Sequence, residues 1–275
     1  MPMNLERVAL FRSAGCRGHG GGLCLFLNGG DPPFEQLARL ATLFDSRGVD
    51  CLELGVPFPN AVTGGAAHDR SVRRALENGA DLSTTLAFVA SVRPTLHHLK
   101  IVLLVDWRHT ARALPVHQFL DHVKRAGCDG LILHGVPPRL RPEYYRQAAA
   151  IGQPIVTSCF VNSPPEVVRA AATEASAFVY LMARYGSSGP ADQARLGPVI
   201  AELRQWTDVQ VAVGFGIRTR EQIRAVWAAG ADAAIIGSAC VEEVERANGD
   251  DAELEQRFTN LLEQDWNPLS ADRSR

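Results

Sequence analysis

The sequence predicts one α/β domain, a single (β/α)8 or TIM barrel, on three observations. Eight short aliphatic or β-branched runs alternate with stretches of helical periodicity, the pattern of parallel strands joined by right-handed crossovers. The 275 residues suffice for eight such units in one domain. An open doubly wound sheet, the runner-up architecture, normally carries Gly-x-Gly-x-x-Gly after its first strand, whereas this chain has Asn28-Gly29-Gly30-Asp31.

Residues 1–22 read as a flexible N-terminal segment, with a short helix over 4–13 ahead of Gly15-Cys16-Arg17-Gly18-His19-Gly20-Gly21-Gly22. These glycines run into a strand at 23–27 and not into a Gly-Lys-Ser/Thr helix start, so they are no P-loop. Turn chemistry follows at Asn28-Gly29-Gly30-Asp31-Pro32-Pro33, and 34–44 carries apolar residues at helical spacing. Further strands are predicted near 51–56, 100–106, 130–134, 154–159, 177–182, 209–213 and 233–236. Helices are predicted near 69–78, 82–93, 116–126, 141–150, 165–174, 191–205, 219–229 and 251–264, with another opening at Gly237-Ser238-Ala239-Cys240. The barrel is thus bounded at 23–266, and 267–275 reads as a frayed C-terminal tail.

Hydrophobic residues make up 46% of the chain and charged residues 21%, enough apolar surface for a large core. A net charge of −2 gives no reason to expect nucleic acid or an anionic membrane, so an anion would need a local device. Six cysteines without a CxxC pair suggest neither a zinc cluster nor a disulfide framework, and reduced thiols fit a cytoplasmic protein. No run is apolar for long enough to span a bilayer. Exposed loop positions are expected for His97 and His98, and a solvated helix face for Arg70, Arg73 and Arg74.

Within Leu52-Glu53-Leu54-Gly55-Val56-Pro57-Phe58, Glu53 is the one acid in a strand that otherwise reads as buried. Such a carboxylate must be hydrogen-bonded, face a polar cavity or shift its pKa. Near the C-terminal end of a barrel strand it points at the mouth, where barrel chemistry lies, although holding the following turn would also explain it. Gly214-Phe215-Gly216-Ile217 after the seventh strand and Gly237-Ser238 after the eighth suit a phosphate, because glycines let backbone N–H groups approach and a helix N-terminus adds its dipole. Ordinary tight turns use glycine too. The segment Ala183-Arg184-Tyr185-Gly186-Ser187-Ser188-Gly189-Pro190 has the composition of a lid, with Ser188 and Gly189 placed to close over that phosphate.

Taken together, Leu52-Glu53-Leu54-Gly55-Val56-Pro57-Phe58, Tyr180-Leu181-Met182-Ala183-Arg184 with Gly186 and Gly189, Gly214–Ile217, Gly237-Ser238 and Gly30-Asp31-Pro32 resemble the tryptophan synthase alpha chain family over about residues 23–265. The resemblance implies a barrel that splits a triose phosphate from the indole of indole-3-glycerol phosphate, needs no cofactor or metal of its own, and docks on a pyridoxal-phosphate beta chain. It makes Glu53 the catalytic proton shuttle and Tyr180 an active-site tyrosine. It places phosphate contacts on Ser188, Gly189, Gly216, Gly237 and Ser238, and pocket walls on Phe26, Leu104 and Phe215.

The ring end departs from that pattern. Where the family reads Ser-Asp-Pro-Leu-Ala-Asp-Gly-Pro, this chain reads Pro59-Asn60-Ala61-Val62-Thr63-Gly64-Gly65-Ala66, so Gly64 stands in place of the second aspartate, which receives the indole N–H. Asp106 replaces a tyrosine, His134 a small apolar residue, Thr157 an aliphatic one, and Gly135 a further aspartate. A polar, ionisable pocket suits a hydroxylated or charged group better than indole. The expectation is a carbon–carbon lyase of aldolase type on a phosphorylated three-carbon substrate, with Glu53 as shuttle and Asp106 or His134 as the second ionisable group. The alternatives are indole-3-glycerol phosphate lyase itself, and a non-catalytic partner of a beta-type synthase. Asp106 and His134 pairing with each other would be a structural replacement, and a metal held by Asp106, His109 and His134 would be a further alternative. The only lysines, Lys100 and Lys124, do not suit a Schiff base. Arg108 stands where the family has an asparagine near its partner, which weakens the expected beta-chain interface.

Overall fold

The computed structural model describes residues 7–12, 20–59, 65–182, 190–214 and 216–265. Eight parallel strands close into a barrel in sequence order: β1 Gly22–Asn28, β2 Cys51–Gly55, β3 Lys100–Asp106, β4 Gly130–His134, β5 Ile155–Phe160, β6 Phe178–Met182, β7 Gln210–Gly214 and β8 Ala233–Ile236, which pairs back onto β1. Around it lie α1 Phe34–Ser46, α2 Gly65–Glu77, α3 Leu82–Val92, α4 Val116–Arg125, α5 Arg141–Ala150, α6 Pro165–Glu174, α7 Pro190–Arg204, α8 Arg220–Ala228, α9 Ser238–Ala247 and α10 Asp251–Asn260. The observed spans lie within a few residues of the expected ones, except that α2 starts at Gly65 and not near 69. No helix among the described residues is long and apolar enough to cross a membrane.

Strand registers fix which side chains face the barrel interior. Phe26 pairs with Glu53, and Glu53 with Val102 on β3. Side chains of alternate residues along each strand point inward, so Cys24, Cys51 and Val102 occupy the interior with Phe26 and Glu53. Outward residues such as Leu25, Leu52 and Leu54 are fully buried under the helices.

The N-terminal segment corrects an expectation. Residues 7–12 are not helical. They pack across the N-terminal end of the barrel, where Gln210 Oε1 accepts from the Leu10 and Phe11 N–H groups at 2.8 and 2.9 Å and Gln210 Nε2 donates to the Phe11 carbonyl at 2.7 Å. Phe11 meets Phe178 edge-on at 5.1 Å. The apolar residues that suggested a helix face close the barrel floor instead, and Leu10 and Phe11 are buried, not loose. The helical arginines are likewise more than a solvated face. Arg74 donates to both carboxylate oxygens of buried Asp31 at 2.9 and 2.8 Å, and Arg70 and Arg74 both reach Glu245 on α9, tying the turn after β1 to α2 and α9.

His97 and His98 are exposed, as expected, but their backbone is anchored. The buried carboxylate of Asp45 accepts the N–H groups of His97, His98 and Leu99, at 2.6 Å for Leu99, and so holds the approach to β3 against α1. Asp45→Ala is expected to destabilise the fold by about 2–3 kcal/mol, because it removes charge-assisted bonds and leaves the buried Leu99 donor without its partner. Urea unfolding followed by far-ultraviolet dichroism measures this, and an unchanged midpoint would show that the segment holds itself.

Candidate active site

Glu53 lies on β2 inside the barrel and is 2% exposed. Among the described residues its Oε2 has no hydrogen-bond partner. Burial pushes its carboxyl up to about 8, so near neutral pH it exchanges protons easily and is mostly the neutral acid. A turn-holding carboxylate would accept backbone N–H groups, as Asp45 does, and would be held low. Tyr180 on β6 shares this interior: burial raises its phenol well above its usual value, and the charges of Glu53 and Cys24 raise it further. It therefore stays a protonated donor. The absence of a side chain at Gly214 makes room for it, because a Cβ there would collide with the Tyr180 hydroxyl.

A Cβ on Gly237 would lie 3.8 Å from Phe26 Cβ, and Phe26 is the register partner of Glu53. Gly237 precedes α9, whose N-terminus has no side-chain cap, so the first-turn N–H groups of Ser238 and Ala239 have no partner within the helix. Gly216 adopts a left-handed φ of 61° in the loop after β7. Arg218 Nη2 donates to the Ser238 hydroxyl at 3.4 Å while its guanidinium pairs with Glu242, a cation at this end that sequence reasoning missed. Ser188, Gly189 and Phe215 lie outside the described residues, as does Gly64.

The ring end is built on β3, β4 and the loops after β2 and β3. Leu104 is half-buried on β3 between the level of Glu53 and that of Asp106. Asp106 and His134 are register partners, and burial lowers His134 against the opposing charge of Asp106. They do not form the hydrogen-bonded pair considered above. Asp106 Oδ1 instead accepts the backbone N–H of His109 at 2.7 Å and its Nδ1–H at 2.8 Å, and the His109 ring stacks on Phe58 at 4.7 Å and 6°. No three His, Cys, Asp or Glu side chains among the described residues group to hold a metal.

Thr157 is a correction. Its hydroxyl donates to the Ala171 carbonyl on α6 at 2.7 Å, so it faces the helical layer and not the pocket. Strand alternation turns half-buried Ser158, register partner of Tyr180, inward in its place. A further residue missed from sequence is His68 on α2, whose ring lies 5.4 Å from Phe26. Burial lowers its pKa, outweighing the charge of Asp69.

The comparisons with known proteins agree with this fold. The family model of the tryptophan synthase alpha chain matches residues 17–267. The tryptophan synthase alpha chain of Methanopyrus kandleri is 33% identical over 264 residues, covering 94% of this chain and 92% of that one. That of a Cyanothece species is 32% identical over 221 residues, covering 80% and 82%. A mutant tryptophan synthase alpha-subunit from the hyperthermophile Pyrococcus furiosus superposes with a TM-score of 0.78 at 28% identity, covering 88% of this chain and 98% of the other. The chain therefore belongs to the tryptophan synthase alpha chain family.

Proposed function

We propose that this protein is a carbon–carbon lyase of aldolase type that binds a phosphorylated three-carbon unit at Gly216, Gly237 and Ser238 and uses Glu53 as its proton shuttle. Family and fold support an alpha-subunit-like lyase. The observation that carries the finer reading is Glu53 itself: buried inside the barrel, raised to about 8, and with an oxygen lacking any partner among the described residues. A group kept in that costly state suits proton transfer at neutral pH. The leaving group in this reading is not indole. His68, Asp106, His109 and His134 surround the mouth with hydrogen-bonding groups whose desolvation against a purely apolar ring would be unfavourable.

Incubation with indole-3-glycerol phosphate, with and without a tryptophan synthase beta chain, separates the readings. Rapid indole release in both cases would favour indole-3-glycerol phosphate lyase, and activation of a beta chain without any cleavage would favour a partner subunit. The phosphate end has its own test. Ser238→Asp puts a negative charge at the N-terminus of α9 and is expected to weaken glycerol 3-phosphate binding by at least 100-fold in calorimetry, while Ser238→Ala costs about tenfold or less. Equal affinities for the three proteins would place the phosphate elsewhere.

A further inference from the structure

We propose that Asp106 and His109 form the second proton-transfer unit of this site, with His109 Nε2 acting on an N–H or O–H of a planar leaving group while Glu53 acts on the carbon being cleaved. The proposal rests on the lyase reading and assigns the role that the sequence left open between Asp106 and His134. Asp106 Oδ1 holds both the backbone N–H and the Nδ1–H of His109, which fixes the tautomer with Nδ1 protonated and leaves Nε2 as the acceptor. Stacking on Phe58, in the loop after β2, fixes the plane of the ring. Unlike the fully buried interior groups, the His109 side chain is 41% exposed, so a ligand in the mouth can reach it.

The vertical spacing suits a ring between the two groups. Val102 is the register partner of Glu53, and Asp106 lies four residues further along β3. That is about 13 Å of strand, and after the reach of both side chains it leaves room for one or two fused rings. Leu104 lies halfway along that stretch and supplies an apolar wall.

The step balances with the two groups in their neutral forms. Protonated Glu53 gives its proton to the ring carbon that bears the three-carbon chain, and His109 Nε2 takes the proton of the ring N–H or O–H, which yields the imine or keto tautomer. The Glu53 carboxylate then takes the proton of the hydroxyl on the adjoining chain carbon. That O–H electron pair becomes the carbonyl of the released fragment, the C–C bond breaks, and its electron pair restores the ring. His109 returns its proton to the ring nitrogen or oxygen, and both side chains finish as they began. Asp106 is a positioning residue that stabilises the imidazolium formed midway. The other charged or titratable groups along this loop and on β2, β3 and β4 are Cys51, Glu53, Lys100, Arg108, Arg112 and His134.

The test uses the full chain in excess over indole-3-glycerol phosphate, a probe with both the glycerol phosphate and a ring N–H, so that slow single turnovers are read. His109→Gln is expected to slow cleavage at least 100-fold with the probe Kd unchanged within threefold. Added imidazole is expected to restore at least tenfold to His109→Ala, and Asp106→Asn is expected to slow cleavage at least tenfold, again with the probe Kd unchanged. A His109→Gln protein that keeps the rate while Glu53→Gln is inactive overturns the proposal and leaves the lyase reading standing. A wild type that binds the probe but never cleaves it also overturns the proposal. Unchanged Glu53→Gln turnover defeats the lyase reading and the proposal with it, whereas a wild type that does not bind the probe overturns the proposal alone.

Discussion

Replacing Glu53 by Gln is expected to lower the turnover of any substrate that releases a phosphorylated three-carbon unit by about 10²–10⁴-fold, and at the same time to make the protein more stable at alkaline pH. Both follow from one carboxyl inside the barrel. Glutamine keeps the shape but exchanges no proton, so binding of glycerol 3-phosphate is retained and chemistry is lost. The stability change has a defined sign. The folded-state pKa is raised from 4.5 to about 8, so between those values the unfolded chain ionises while the native chain holds its proton. Wild-type stability therefore falls as pH rises from 4.5 to 8 and levels off above 8, by about 4–5 kcal/mol in all. Glu53→Gln lacks this loss, so its melting temperature relative to wild type should climb between pH 5 and pH 9, whatever constant offset the amide introduces. Parallel pH dependences would mean that the carboxyl is not held neutral, and unchanged turnover would remove it from the mechanism.

The burial of Glu53 inside the barrel was legible because a lone acid in an aliphatic strand leaves few physical options, and the order of strands and helices was legible because each strand run is short and bounded by glycine or a helical pattern. What the sequence hid depends on phase and on contacts across loops. In Thr157-Ser158-Cys159 three small residues fit either phase of a strand, so the choice of Thr157 over Ser158 required the actual register with β6. His68 lies on a helix whose inner face is set by how α2 seats on β1, which periodicity alone does not reveal. Asp106 and His109 are only three residues apart, but the same spacing occurs in ordinary exposed turns. Their placement at the barrel mouth, and the stacking of His109 on Phe58 from a different loop, are tertiary facts. The helix expected over 4–13 failed for a related reason: Leu10 and Phe11 find a better apolar surface under the barrel than a short helix would provide.

Indole-3-glycerol phosphate is expected to be cleaved at least 100-fold more slowly by this protein than by an alpha chain that keeps its second aspartate, and a tryptophan synthase beta chain is not expected to accelerate it. Two independent features set these expectations. The resemblance puts Gly64, which has no side chain, where the family's second aspartate receives the indole N–H, and removing one of a pair of acid–base groups typically costs 10²–10⁴-fold; a histidine held elsewhere in the mouth recovers only part of this with a ring placed for a different partner. Arg108 adds an exposed charge to the loop after β3, next to Trp107, whose backbone N–H donates to the His134 carbonyl at 2.8 Å. An unpaired charge at the centre of an interface costs more than one at its rim, so beta-chain binding should be weak rather than merely slow. Sedimentation with a beta chain at micromolar concentration, read alongside indole release, tests both halves. A stable complex that also speeds cleavage would show that the ring end still serves indole, and that Gly64 has been compensated from within the same site.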